Sequence, residues 1–171
     1  IFQRLGRARA DGSIGEVYEQ LQRNLMRGAD RAAALALLDD LAQADPQVPQ
    51  ARLAVANLAH AADQHDRAAL EAGKALALRP DDEGIVVATA RFVQASSAGT
   101  AGALRVLQAY LTRFPKALEA RFQYARLLAS DGRTADARRE MELALREDPD
   151  SPAILFSLAQ LAYQNKQSAA A

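Results

Sequence analysis

The stretch ALEARFQYARLLASDGRTADARREMELALREDPD, residues 117–150, shows how the chain is organised. Apolar side chains recur at helical spacing before and after Asp131 and Gly132, a residue pair typical of a turn. Thr134 follows that turn at the place of a helix N-cap, and Pro149 lies where a helix has to end. The stretch therefore predicts two helices joined by a short turn, with Thr134 capping the second.

The same organisation returns along the chain at regular steps. The boundaries are marked by Pro46, Pro80, Pro115 and Pro149, whose numbers differ by 34, 35 and 34. Two columns of small residues keep these steps, Ala56, Ala90, Ala125 and Ala159 in one and Ala34, Ala68, Ala103 and Ala137 in the other. The one extra residue lies within 96–100, a small and polar stretch. Several columns in phase indicate an internal repeat, the alternative being an irregular helical bundle with coincidental alanines.

Apolar periodicity predicts nine helices. They are placed at 14–27, 30–44, 49–62, 66–78, 83–95, 100–113, 117–129, 134–146 and 152–164. The corresponding repeat units are near 15–48, 49–82, 83–117 and 118–151, followed by a partial unit at 152–167 and a tail at 168–171. Residues 1–14, with Ile1, Phe2 and Leu5, are interpreted as the remnant of a preceding element.

Composition supports an all-α fold and limits the possible partners. The 171 residues include 40 Ala and 23 Leu but only 7 Val and 4 Ile, so helix formers far outnumber the residues that favour strands. The net charge is zero, which argues against nucleic acid or an anionic membrane as a partner. No apolar run approaches the ~20 residues that span a bilayer, so we expect no membrane insertion by this segment.

The repeat resembles the tetratricopeptide repeat family over roughly 15–167. The resemblance lies in small residues at the eighth and twentieth places of each unit, a small or medium residue at the twenty-seventh and proline at the thirty-second. No unit has the tryptophan often found early in the family's first helix; Arg52 and Arg121 stand at two of these places. The resemblance implies a right-handed α-solenoid of about four helix-turn-helix units plus an additional C-terminal helix, with protein or peptide partners.

A narrower resemblance is to bacterial cell-envelope lipoproteins built from these repeats. Some of these lipoproteins are adaptors that present substrates to a processing protease. The bias of 18 Arg to 3 Lys fits a GC-rich bacterial genome. This resemblance implies a periplasmic or outer-membrane-anchored location, with the cytoplasm as the alternative.

Residues that could carry catalysis are sparse. The chain has no cysteine, and no glycine-rich phosphate loop is present, because Gly99 and Gly102 lack both the lysine and the preceding strand. The two histidines, His60 and His65, are separated by a predicted helix end, so we expect them not to share a face and not to bind a metal. The sequence predicts a protein that is not an enzyme and holds no cofactor.

The resemblance implies that the first helix of each unit lines a concave groove. Its ninth places carry five hydrogen-bond donors, Arg23, Asn57, Arg91, Arg126 and Gln160. Its fifth places carry four apolar residues, Leu53, Val87, Phe122 and Phe156. A row of donors beside an apolar stripe suits an extended or helical segment of a partner protein.

Alternatives to this groove remain open. Leu53 and Val87 could simply be core residues with the arginines scattered over the surface. The chain could be a purely structural segment of a longer solenoid, or an RNA-binding helical repeat, which zero net charge and the predominant repeat step of 34 disfavour. The last helix carries Ile154, Leu155, Leu158 and Leu161 without a second helix to cover them, which predicts self-association or a longer array.

Overall fold

A computed structural model describes residues 2–27 and 30–170, with side chains for 6–10, 12–27 and 30–163. Within that part of the chain, all regular structure is helical. The ten helices are α1 Phe2–Asp11, α2 Ile14–Leu25, α3 Arg31–Ala44, α4 Pro49–Ala61, α5 His65–Leu78, α6 Glu83–Ala95, α7 Gly99–Arg113, α8 Leu118–Ser130, α9 Thr134–Glu147 and α10 Pro152–Ala170. None of these described helices is both long and apolar enough to cross a membrane.

The nine helices predicted from the sequence are present as α2 to α10. Their ends agree with the prediction to within two residues, except that α10 continues to Ala170 and so includes most of the predicted tail. The segment assigned to a preceding element contains α1, while Ile1 and the side chains of Phe2 and Leu5 lie outside the described residues. The boundaries of the repeat units stay a prediction.

Packing divides the chain into two compact lobes, Ile1–Gly99 and Thr100–Ala171, called here the N-terminal and C-terminal lobes. In the N-terminal lobe, α4 packs against α2, α3 and α5, and α5 packs against α6. The core contains the large buried side chains Tyr18, Leu38, Leu58 and Phe92. In the C-terminal lobe, α9 packs against both α8 and α10, over a core that includes Leu128, Met141, Ile154 and Leu161.

The columns of small residues lie in the helix contacts. Seven of the eight alanines at the eighth and twentieth places are buried, with side chains too short to hold neighbouring helices apart. The exception is Ala159, which is exposed on α10. Burial of the columns explains why the repeat is visible in the sequence.

Helix starts depend on a few local groups. Proline begins both α4 and α10, where its fixed φ suits the first helical position. The Asp82 carboxylate accepts a hydrogen bond from the Ile85 amide at 3.1 Å and so caps α6. The prediction that Thr134 caps α9 is wrong, because Arg133 is the N-cap residue and the Thr134 hydroxyl donates to the Gly132 carbonyl instead. Gly132, at φ 78°, makes this tight turn without steric cost.

A partly buried polar network fastens α1 to the rest of the N-terminal lobe. The Arg9 guanidinium donates to both carboxylate oxygens of Asp45, at 2.6 and 2.7 Å. The Tyr18 hydroxyl lies 2.7 Å from both the Asp45 carboxylate and the Leu41 carbonyl oxygen. The hydrogen bonds from Arg9 hold the pKa of the Asp45 carboxyl below its ordinary value, whereas burial raises the pKa of Tyr18.

The last helix buries part of the apolar surface that the sequence assigns to it. Ile154 and Leu161 are buried, and Leu158 is half-buried. Leu155 and Phe156 are exposed, Phe156 by 71%. Self-association through this surface stays a prediction.

Candidate functional site

The predicted groove residues of the N-terminal lobe differ in their exposure and in the polar contacts that they already make. Leu53 and Val87 are half-buried, and Arg23 is exposed in an ion pair with Glu19 at 3.8 Å. The Asn57 side chain donates to the Leu53 carbonyl at 2.9 Å and to the Gln22 side chain at 3.3 Å. Since an amide has two hydrogens, Asn57 has to exchange one of these bonds before it can donate to a partner.

The link between Asn57 and Gln22 joins α4 to α2 and was missed from the sequence. Its signal is Gln22 itself, which stands at an eighth place where the other units carry alanine. A polar residue at a place reserved for close helix contact has to find a partner on the neighbouring helix.

The two histidines of the N-terminal lobe lie on different helices, with the predicted helix end between them, but they are in contact across the turn, which was not predicted from the sequence. The Nδ1 atoms of His60 and His65 lie 3.1 Å apart, and the ring centroids are 4.8 Å apart. The turn between α4 and α5 passes through Asp63 at φ 59° and is closed by a hydrogen bond from the Gln64 amide to the Ala59 carbonyl. This turn places the last residues of α4 beside the first residue of α5.

The histidines belong to a cluster of rings that we call the ring cluster, His60, His65 and Phe92. The His60 and Phe92 rings meet nearly edge to face, with centroids 5.7 Å apart and planes at 69°. The Arg91 guanidinium lies 5.2 Å from the centroid of the Phe92 ring. Phe92 is only 1% exposed, so the rings fill the space where α4, α5 and α6 meet. Among the described residues, no group of three or more potential ligands is placed to hold a metal ion.

The corresponding place in the C-terminal lobe is not filled. Helices α8, α9 and α10 repeat α4, α5 and α6 at a constant offset, so that Leu118, Thr134 and Pro152 begin helices where Pro49, His65 and Glu83 do. Residues of α8, α9 and α10 line a cavity of about 200 Å³, called here the α8–α10 cavity. Its lining residues are Arg126, Ala129, Ser130, Met141, Ser157, Gln160 and Leu161.

Two of the predicted site residues, Arg126 and Gln160, line this cavity together. The Arg126 guanidinium is exposed and makes one long hydrogen bond, 3.4 Å, to the Gln123 side chain. Phe122 and Phe156 are not among the lining residues, although Phe156 is exposed on α10.

The cavity combines an apolar part with polar groups. Ala129, Met141 and Leu161 supply the apolar part. The hydroxyls of Ser130 and Ser157 donate to carbonyls of their own helices at 2.8 Å each, so their oxygens are left to accept hydrogen bonds. Among the lining residues that the structure describes there is no carboxylate, and their charge is the positive charge of Arg126. The cavity can therefore take an apolar group that carries polar atoms beside it.

One ion pair occurs at equivalent places in both lobes and was also missed from the sequence. Arg52 donates to Glu71 at 3.3 Å between α4 and α5, and Arg121 pairs with Glu140 between α8 and α9. Both arginines stand where the family's tryptophan is often found. The signal was an arginine and a glutamate that recur at the same spacing in both hairpins. These pairs hold the two helices of a hairpin together and so position the residues around each site.

Comparison with known protein families finds a match for one segment of the chain. The family model of the tetratricopeptide repeat matches residues 118–161, the segment that contains α8, α9 and the cavity-lining part of α10. No curated protein matches the chain by sequence.

Several solved structures share the fold. MamA, residues 41 to the end, from Desulfovibrio magneticus RS-1 is 18% identical with a TM-score of 0.65, over 89% of this chain and 85% of that one. Pseudomonas aeruginosa PilF is 19% identical with a TM-score of 0.67, over 90% of this chain and 69% of that one. YrrB, described as a TPR protein with an unusual peptide-binding site, is 20% identical with a TM-score of 0.58, over 86% of this chain and 76% of that one. One segment of the chain, residues 118–161, thus matches the tetratricopeptide repeat, and the chain shares an all-helical fold with these solved structures.

Proposed function

We propose that the chain is a non-catalytic scaffold that binds an extended or helical segment of a partner protein, with the α8–α10 cavity as a central contact. Its fold is that of protein–protein interaction scaffolds, and proteins of this family are generally non-catalytic. The observation that carries the proposal is the convergence of Arg126 and Gln160, from α8 and α10, on one cavity.

The size and chemistry of the cavity favour a side chain of a peptide over a free small molecule. Small-molecule sites usually have volumes of about 300–1,000 Å³, whereas this cavity measures about 200 Å³. Polar atoms at Arg126, Ser157 and Gln160 can bond main-chain groups on either side of an inserted side chain. The peptide-binding site named for YrrB, which has the same fold, supports the same class of ligand.

The other predicted residues extend the proposed contact surface within each lobe. Phe122 and Phe156 provide further apolar surface in the C-terminal lobe, Phe122 half-buried and Phe156 exposed. In the N-terminal lobe the proposed contacts are Arg23, Leu53, Asn57, Val87 and Arg91. We expect Arg23 and Arg91 to contribute more than Asn57, because they are exposed and Asn57 is already bonded to two acceptors.

The resemblance to envelope lipoproteins supports a location as well as a role. We propose a bacterial envelope adaptor, periplasmic or anchored at the outer membrane, with the cytoplasm as the alternative location. A purely structural segment of a longer solenoid is the alternative function.

Selection from a random peptide library on the immobilised chain, followed by calorimetry with a selected synthetic peptide, tests the proposal. We expect Arg126→Ala and Phe122→Ala each to weaken binding by about 1–3 kcal/mol, because interface energy concentrates in arginine and aromatic anchors. The matched control is Arg138→Ala on α9, an exposed arginine bonded to Glu142 at 2.8 Å, which should leave binding within about 0.5 kcal/mol.

Equal binding by the wild type and an Arg126→Ala, Phe122→Ala double variant would contradict the proposed site. Selection of no peptide at all would favour the structural alternative, and binding of single-stranded RNA to a filter across a salt series would favour the RNA-binding one.

A further inference from the structure

We infer that the α8–α10 cavity receives an aromatic ring from the bound segment. This inference rests on the proposed function and names the side chain that the partner inserts. The argument comes from the N-terminal lobe, where the same three helices meet and the chain's own rings fill the space.

The equivalent positions follow from the constant offset between the two sets of helices. His60 corresponds to Ala129, His65 to Thr134 and Phe92 to Leu161, so each ring is replaced by a residue without a ring. The helices themselves begin at equivalent positions in the two lobes, 49 and 118, 65 and 134, and 83 and 152. The helix starts are therefore repeated while the rings are absent, and two of the three replaced positions, Ala129 and Leu161, line the cavity.

The volume of the cavity suits a single ring. A cavity of roughly 150 Å³ is enough to hold benzene inside a protein, and the α8–α10 cavity measures about 200 Å³. The extra space and the opening to solvent allow the ring to remain attached to a peptide. A phenyl or phenol ring therefore fits.

The side chains around the cavity also suit a ring. Met141 replaces Ala72 of the N-terminal lobe, and a methionine sulfur makes favourable contacts with aromatic rings. Arg126 brings a guanidinium to the cavity, as Arg91 brings one to the Phe92 ring at 5.2 Å. An acidic side chain would pair with Arg126 but would place its carboxylate against the apolar lining formed by Ala129, Met141 and Leu161.

The first test is methyl NMR, with N-acetylphenylalaninamide as the probe. The chain has two methionines, Met141 in the cavity and Met26 on the N-terminal lobe, so methyl-labelled methionine gives one reporter and one internal control. We expect a saturable ring-current shift at Met141, none at Met26, and at least threefold weaker binding of N-acetylleucinamide. Equal affinities for the two amides, or no shift at Met141, would overturn the inference.

The second test fills the cavity with the residues of the other lobe. Ala129→His with Leu161→Phe should weaken the Met141 response at least tenfold. The control, Ala135→His with Leu143→Phe, adds the same two rings at exposed positions of α9 and should leave the response unchanged. If the double variant does not fold by circular dichroism, Ala129→His alone is used. An unchanged response in a folded filled variant would contradict the proposed location.

The outcomes separate this inference from the proposed function. Selected peptides that bind through Arg126 but contain no aromatic residue would contradict the inferred aromatic ring and leave the proposed scaffold function in place. If N-acetylphenylalaninamide shifts the Met141 signal but the library yields no binding peptide, the proposed function would be contradicted. The ring would then not come from a partner segment.

Discussion

The two sets of three helices, α4 to α6 and α8 to α10, share the contacts that hold their helices together. They differ in the side chains that lie between the helices. Both sets bury alanine at the eighth and twentieth places of their first hairpin, and both join that hairpin by an arginine–glutamate pair. The first set encloses the ring cluster, and the second encloses a cavity of about 200 Å³. The residues that bring the helices together are thus distinct from the residues that decide whether the space between them is filled.

Removing the rings is the strongest way to test this difference. His60→Ala with Phe92→Leu gives the N-terminal lobe the residues of the C-terminal lobe and should cost about 2–5 kcal/mol, through lost burial and the cavity left behind. The free energy of unfolding in urea measures the effect. The reverse change, Ala129→His with Leu161→Phe, should cost far less because it enters an existing cavity. Equal costs for the two changes would show that the lobes are packed alike.

The buried alanine contacts of the two sets should be equally sensitive to a larger side chain. Ala125→Leu and Ala56→Leu each place a larger side chain in a fully buried contact and should destabilise the protein by about 1–3 kcal/mol. The control is Ala159→Leu, the same change at an eighth place that is exposed. Urea midpoints unchanged by both buried substitutions would break the proposed register of the repeat.

A smaller effect is expected from the polar network that the N-terminal lobe carries around Asp45. Asp45→Asn should cost about 1–2 kcal/mol, because it removes a charge that accepts hydrogen bonds from Arg9. The folded pKa of Asp45 lies below its ordinary value of 3.8, so its contribution is present above that value and is lost as the pH falls through the lowered pKa. Stability measured from pH 6 to pH 2 should therefore fall less steeply in Asp45→Asn than in the wild type. Identical slopes would contradict this role.

Much of the fold could be predicted from the sequence because its signals are local and repeated. Prolines at fixed steps mark the ends of helices, and alanines at fixed places mark where helices touch. The N-cap residue of a helix is harder to predict from the sequence, as Thr134 shows. Whether a residue is the N-cap or the first helical residue depends on the conformation of the turn before it.

Less of the site could be predicted. Arg126 and Gln160 line one cavity because both stand at ninth places, which face one way on their helices, and their role in binding stays a prediction. The contact of His60 with His65 depends on one residue with positive φ in the turn, which spacing alone does not reveal. A cavity is still harder to predict, because it depends on the side-chain volumes of residues on three helices at once.

The constant offset between the two sets makes them exchangeable parts. Residues 49–95 and 118–164 align without an insertion, and helical repeats take most of their stability from nearest neighbours. A chimera with either segment in both places keeps the alanine contacts and the arginine–glutamate pair of each hairpin. The number of cavities in such a chain would therefore be set by which segment is placed at each position.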